Sequence, residues 1–146
     1  MKNIFFVALA FMCASATGCA QKNVSTAVES AFKTKFSNAT NISWDKENDR
    51  EYEAEFTMNS AKYSANFSDT GKWLETERII PYIELPQAVQ KSFMASHKEA
   101  KVKATAKIET SEGEIRYEIE IKQLLGAKEL FYDAKGKELQ DDDSEN

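Results

Sequence analysis

The sequence predicts an α+β fold in which two tandem αβββ repeats form one antiparallel sheet with two helices on one face. The first observation behind this is an internal repeat. Ala27-Val28-x3-Phe32-x3-Phe36-x2-Ala39 returns 61 positions later as Ala88-Val89-x3-Phe93-x3-His97-x2-Ala100. Tyr52-Glu53-Ala54-Glu55-Phe56 returns 65 positions later as Tyr117-Glu118-Ile119-Glu120-Ile121, and Gly71-Lys72-x-Leu74 as Gly136-Lys137-x-Leu139. A period in this range fixes architecture before any finer reading, and the offset change places a four-residue insertion between helix and second strand. The second observation is two-residue alternation over long stretches, the mark of strands with one wet face. The third is that the connections are short, which favours antiparallel pairing because parallel strands need long crossovers. Helices on one side and polar residues on the other complete the class.

The elements follow in chain order. A helix is expected from about Thr26 to Phe36, with Thr26 and Glu29 as a capping box and Val24, Val28, Ala31 and Phe32 on one face. Ile42 and Trp44 point inward from the first strand, and Asp45 to Asp49 read as a polar turn. Tyr52, Ala54, Phe56 and Met58 alternate with Glu51, Glu53, Glu55 and Thr57; Tyr63, Ala65 and Phe67 alternate with Lys62, Ser64 and Asn66. Gly71 suits a positive φ in the turn that follows. Residues 79–86 join the copies, with Pro86 at the first turn of a second helix to His97, where its missing N–H costs nothing. Val102, Ala104, Ala106 and Ile108 should point inward, as should Ile115, Tyr117, Ile119 and Ile121. Phe32, Trp44, Phe56, Phe67, Phe93, Tyr117 and Ile119 form the expected core.

The chain is 146 residues long, enough for one domain with a real hydrophobic core. Its formal charge of -5 is concentrated in Asp141, Asp142, Asp143 and Glu145. Between Gln21 and Gln140 there are 18 basic and 20 acidic residues, so no basic field for nucleic acid exists. Residues 141–146 read as an acidic, disordered tail. Residues 1–18 have the order of a secretory signal peptide: Lys2, an apolar run from Ile4 to Met12, then small residues. Ala16-Thr17-Gly18-Cys19 resembles a bacterial lipobox with alanine where leucine is commonest, and would make Cys19 a lipidated N-terminus. Ala14-Ser15-Ala16 equally satisfies the rule for ordinary signal peptidase, so both processing routes stand. Lipid on Cys19 would attach the protein to a membrane. The remaining domain spans 19–140, with repeats of about 24–80 and 85–140. It holds no cysteine besides Cys19, hence no disulfide, thiol nucleophile or thiolate site.

No reactive constellation accompanies the repeat. His97 is the only histidine and occupies the place of Phe36, so it reads as a partly buried or helix-end residue rather than a base or ligand. Asp45-x-Glu47-x-Asp49 has calcium-loop spacing, but Arg50 stands where glycine is needed and Phe56 where the bidentate glutamate is needed. Glu51, Glu53 and Glu55 share a strand face about 7 Å apart, and their repetition as Glu118 and Glu120 points to a solvated face. Lys62, Lys103 and Lys107 are placed to pair with them. The sequence therefore predicts no catalytic residue, metal or cofactor. The sheet face opposite the helices is the remaining candidate, with Glu53, Glu55, Glu118 and Glu120 on it. Leu74 and Leu139 are expected to point inward, which sends Trp73 to that face as its anchor, and Tyr82 in the connector is a second contact.

The signal peptide, Ala-Val-x3-Phe-x3-Phe-x2-Ala, the Trp-bearing strand, Tyr-x-Ala-x-Phe, and Gly71 to Glu77 followed by Leu85-Pro86-x-Ala88-Val89 resemble the PepSY-like domains. These are exported bacterial proteins classed as β-lactamase-inhibitor-like, and the resemblance runs from about Val24 to Gln140. It implies the tandem αβββ architecture, a periplasmic or membrane-anchored envelope location, and binding or inhibition of other proteins, with no catalytic residues to transfer. The expected function is an envelope protein-binding or inhibitory module whose partner is an unidentified envelope protein. The alternative is a lipid-anchored structural or accessory domain with no dedicated soluble target.

Overall fold

The computed structural model describes residues 24–140. In chain order these form α1 (Thr26–Lys35), β1 (Thr40–Asn48), β2 (Glu51–Met58), β3 (Ala61–Ser68), β4 (Trp73–Ile79), a 3-10 turn (Tyr82–Glu84), α2 (Gln87–Ser96), β5 (Val102–Thr110), β6 (Ile115–Lys122), β7 (Ala127–Asp133) and β8 (Glu138–Leu139). The eight strands hydrogen-bond in sequence order in one antiparallel sheet. The predicted α+β class is what is observed. Two compact units divide the described chain near residue 76, matching the repeat. The signal peptide, Cys19 and the acidic tail lie outside the described residues.

In the first copy, α1 is held by local chemistry at both ends. The Ser25 hydroxyl accepts from the Val28 N–H at 3.3 Å, so the cap is Ser25 and not Thr26 as the capping-box pattern suggested. Glu29 lies near the helix N-terminus and Lys33 and Lys35 near its end, each complementing the helix dipole. Val28 and Phe32, four residues apart, bury one stripe against Ala54, Phe56, Ala65 and Phe67. Those four come from paired positions of β2 and β3, where Ala54 faces Ala65 and Tyr52 faces Phe67. Asn59 and Ser60, with φ of 50° and 63°, close that hairpin with both central residues left-handed, which matches strand twist. The expected polar turn at residues 45–49 is instead the end of β1, whose turn is shifted to residues 49–50. Asn48 enables this by accepting from the Arg50 N–H and donating to Glu51.

The second copy repeats the backbone with different side chains. Val89 and Phe93 of α2 pack on Ile119, Ile121, Leu130 and Tyr132, with Ile80 and Leu85 closing the cluster. Among the described residues no side chain caps α2; Pro86 is its N-cap, one place earlier than expected, and Gln90 reaches back to donate to the Leu85 carbonyl at 2.8 Å. Phe36 and His97 end their helices in the same way, each N–H bonding to the carbonyl of Phe32 or Phe93 at 2.8 Å.

Of the expected core, Phe32, Phe56, Phe67, Phe93 and Ile119 are buried, while Trp44 and Tyr117 are half-buried against it. In β5 the expected facing is wrong beyond Val102. Val102 pairs with Ile121, but an irregularity at Lys103 brings Ala104 opposite Glu120, Ala106 opposite Glu118 and Ile108 opposite Arg116. One extra residue in a strand reverses every later side chain. Ala106 and Ile108 therefore share the face of the glutamates, and Thr105 turns toward α2, its hydroxyl donating to the Ile80 carbonyl at 2.6 Å.

Candidate functional site

The face of β2 and β3 turned away from α1 carries Glu53, Glu55, Ser64 and Asn66, with Lys62, as expected, on the same side at the hairpin end, because residues two apart on a strand share a side. β1 adds Ser43 opposite Glu55 and Asp45 opposite Glu53. This is a crowded acidic surface. Glu53 is only 8% exposed, against the expectation of a solvated carboxylate. Burial pushes its pKa from 4.5 to about 7, and the negative charges of Glu47, Glu55 and Asp45 push the same way, against a hydrogen bond from Ser64. Glu47 is raised by burial as well, then by Asp45 and Glu51. A carboxyl held partly protonated near neutrality by its neighbours is chemically poised to meet a cation, which would expel the proton.

The equivalent face of the second copy is balanced differently. Glu118 and Glu120, predicted to be solvated, are buried. The Lys103 ammonium donates to Glu120 at 2.5 Å and the Arg116 guanidinium to Glu114 at 2.5 Å. Phe131 lies opposite Glu118 and is buried. Lys103 thus pairs as expected, but Lys107 stands opposite Tyr117, on the other side of the strand. Neither Phe131 nor the Arg116 ion pair was read from the sequence. The alternation of β7 (Leu130 and Tyr132 against Phe131) was the available signal.

Two predicted contacts are corrected. Trp73 does not lie on the acidic face; it packs against the first copy's core, with the Lys35 ammonium of α1 3.5 Å from its ring centroid and its indole N–H donating to Thr76 at 2.9 Å. Just before β4, Gly71 is pressed against α1: a Cβ there would stand 2.8 Å from the Ala27 carbonyl oxygen. Gly136 sits closer still under the Ala88 carbonyl; Glu138 reaches His97 at the end of α2 while Leu139 pairs with Phe131 on the other face, so the inward Leu139 is corrected too. Tyr82 is likewise no exposed contact: its ring lies 6.1 Å from that of Phe93, and its hydroxyl is buried with no hydrogen-bond partner among the described residues.

Where the first copy has Phe36, Phe67 and Trp73, the second has His97, Tyr132 and Glu138. His97 stacks on Phe93 and sits 3.4 Å from a Glu138 oxygen, which also accepts from the Tyr132 hydroxyl at 3.3 Å. Burial pushes the Tyr132 hydroxyl up, reinforced by Glu138. Among the described residues no group of three or more histidine, cysteine or acidic side chains is placed to hold a metal ion. No described helix is long and apolar enough to cross a membrane.

Fold and site together define a repeat-built α+β domain with a charged sheet face. The chain belongs to the PepSY-like family, described as beta-lactamase-inhibitor-like, whose model matches residues 50–140. Its fold is shared by solved structures. A Bacteroides eggerthii DSM 20697 protein described as periplasmic has a TM-score of 0.73 at 21% identity, covering 81% of this chain and 87% of that one. A DUF2874 family protein from Bacteroides ovatus ATCC 8483 gives 0.70 at 23%, covering 81% and 86%. A BLIP-like protein from Bacteroides fragilis NCTC 9343 gives 0.67 at 26%, covering 81% and 84%. Among curated proteins, none matches the chain.

Proposed function

We propose that this is a non-catalytic protein-binding module of the bacterial cell envelope, and that the acidic face of its first copy takes cationic side chains of a partner protein. The observation that carries this is Glu53, whose pKa near 7 reflects burial among like charges. A lysine or arginine brought beside it relieves that repulsion, so binding and deprotonation are coupled. The family's inhibitor-like description and the periplasmic description of a structural neighbour support the class and the location. Acylation of Cys19 would hold the module at a membrane; envelope-purified protein should show a lipid-bearing Cys19 by mass spectrometry, and a mature chain starting at Thr17 or Gln21 would end that part.

The test is crosslinked capture from envelope extract with the wild type, Glu53→Gln with Glu55→Gln, and Lys91→Gln, an exposed position of α2, as control. The paired variant should lose the captured protein while the control keeps it. With the captured protein purified, calorimetry at pH 7 in buffers of different ionisation enthalpy should register proton release. Equal capture by all three chains would overturn the assignment of this face. The accessory-domain reading then leads, and it already gains from Trp73, which leaves the acidic face without its expected aromatic anchor.

A further inference from the structure

The two copies build the β2–β3 and β6–β7 hairpins with equal length, yet their tips differ in chemistry. Asn59 and Ser60 of the first correspond to Leu124 and Leu125 of the second at the same 65-residue offset. Leu124 is 99% exposed and Leu125 92%, the most exposed large apolar side chains among the described residues. Turn chemistry does not call for them. The tip is closed by the Gln123 N–H bonding to the Gly126 carbonyl at 3.1 Å, and Gly126 supplies the positive φ of 96°. The central places of such turns favour Asn, Asp, Ser or Pro, and among the described residues both leucines are left almost wholly uncovered.

The surroundings of the tip are basic. Lys122 and Lys128 leave the hairpin on opposite sides just below the leucines, since Lys128 pairs with Ile121 and Lys122 with Ala127. The Lys122 N–H bonds to the Lys101 carbonyl at 2.9 Å, which brings the start of β5, with exposed Lys101 and half-uncovered Val102, alongside. No acidic residue lies between Ile121 and Lys128; the first below them are Glu120, occupied by Lys103, and Glu129 opposite it. Two aliphatic side chains inside a ring of three cations thus project from the end of one hairpin.

We propose that the β6–β7 tip is a lipid-contact element: Leu124 and Leu125 enter the interfacial region of an anionic phospholipid bilayer, and Lys101, Lys122 and Lys128 engage its headgroups. A protein interface of ordinary size buries roughly 800 Å² on each partner, of which two leucines supply a small part. A bilayer interface needs no shaped pocket; it rewards protruding apolar groups and adjacent positive charge. Each lysine near an anionic surface contributes about fivefold to partitioning. The contact is reversible, and it would orient the domain on a membrane whether or not Cys19 carries lipid. It does not depend on the acidic face of the first copy.

The experiment floats the full chain, carrying Cys19→Ala to exclude acylation, with vesicles of equal parts phosphatidylcholine and phosphatidylglycerol and with vesicles of phosphatidylcholine alone. Leu124→Asn with Leu125→Ser, which transplants the first copy's tip, should lower partitioning to the anionic vesicles about tenfold with an unchanged melting curve. Lys122→Gln with Lys128→Gln should lower anionic binding about 25-fold, fivefold for each lysine, and leave the weak neutral binding alone. Equal partitioning of the wild-type and transplanted tips overturns the proposal. So does a transplanted tip that loses a protein crosslink while keeping its vesicle binding, which would make the leucines a protein contact. Glu53→Gln with Glu55→Gln should leave vesicle binding intact, so failure here is distinct from failure of the acidic-face reading.

Discussion

The first copy fills the space under its helix with rings, and the second fills the same space with aliphatic chains and a polar trio. Phe32 of α1 touches Trp44, Phe56 and Phe67 edge-on at centroid distances of 5.2, 5.1 and 6.1 Å. Phe93 of α2 meets Ile119, Ile121, Leu130 and Tyr132 instead, with His97 stacked on it. The backbone contacts barely differ. Ser68 N–H to Lys72 carbonyl is 2.9 Å and Asp133 N–H to Lys137 carbonyl is 3.0 Å; Gly71 and Gly136 each bond back three residues at 2.9 and 3.0 Å. The lesson is that the fold is defined by a few places where backbone meets backbone, while core composition is free to vary as long as volume and alternation are kept.

The strongest way to break this comparison is to fill the glycine contacts. Gly136 has a φ of 82°, and an added Cβ would stand within van der Waals overlap of the Ala88 carbonyl, which is main chain and cannot swing aside. Gly136→Ala should cost about 4 kcal/mol or more, from strain at positive φ plus displacement of α2. Gly71→Ala, with 2.8 Å available at Ala27, should cost less. Chemical denaturation of both variants measures the order. A mild effect at Gly136 would mean the helix moves freely over the sheet, and the backbone contact would lose its defining role.

Next in size is the ring cluster. Phe56 is buried and contacts Phe32, Phe36 and Tyr63. Phe56→Ala should cost about 3–5 kcal/mol, and Ile121→Ala, at the equivalent place of the second copy, about 2–4 kcal/mol. Equal costs would say that the aromatic cluster adds nothing over aliphatic packing.

The architecture was legible because its signals are periodic and repeated twice. Where sequence reasoning failed, a single residue reset a period. The irregularity at Lys103 turned Ala106 and Ile108 over, and no local motif marks it. Matching Leu74 with Leu139 and sending Trp73 to the opposite side misplaces Trp73, whose packing with Lys35 of α1 is a tertiary contact that no local pattern marks. Glutamates that alternate with core residues look solvated in one dimension. That Glu53 is buried among Glu47, Glu55 and Asp45 depends on three strands lying side by side. The acidic face was therefore named in residues and missed in electrostatics.

That electrostatic difference predicts a pH profile. Glu53 titrates near 7 in the folded chain against 4.5 in its ordinary state. Below pH 4.5 both folded and unfolded chains hold this proton, and its contribution is fully present. As pH rises from 4.5 through 7 the unfolded chain releases the proton first, so up to about 3 kcal/mol of stability is lost, and the loss levels off above 7. Glu53→Gln should flatten this slope in denaturation curves taken across that window. An unchanged slope would assign the effect elsewhere and remove the basis for coupling proton release to partner binding.

The smallest expected effect sharpens the contrast at the polar trio. Tyr132 is buried, and its hydroxyl donates to Glu138 at 3.3 Å, while Phe67 fills the same place in the first copy with no hydroxyl at all. If the second copy tolerates polar atoms only because they pair with each other, Tyr132→Phe should cost about 0.5–1.5 kcal/mol, the net value of one hydrogen bond. Tyr132→Phe with Glu138→Gln should then cost little more than the first change alone, because the two groups share one interaction. Adding His97→Phe restores two of the first copy's three residues and should recover stability by ring packing against Phe93. A double-mutant cycle with fully additive costs would mean that Glu138 is held by His97 alone, and that the Tyr132 hydroxyl is carried by the second core as a burden rather than as a link to β8.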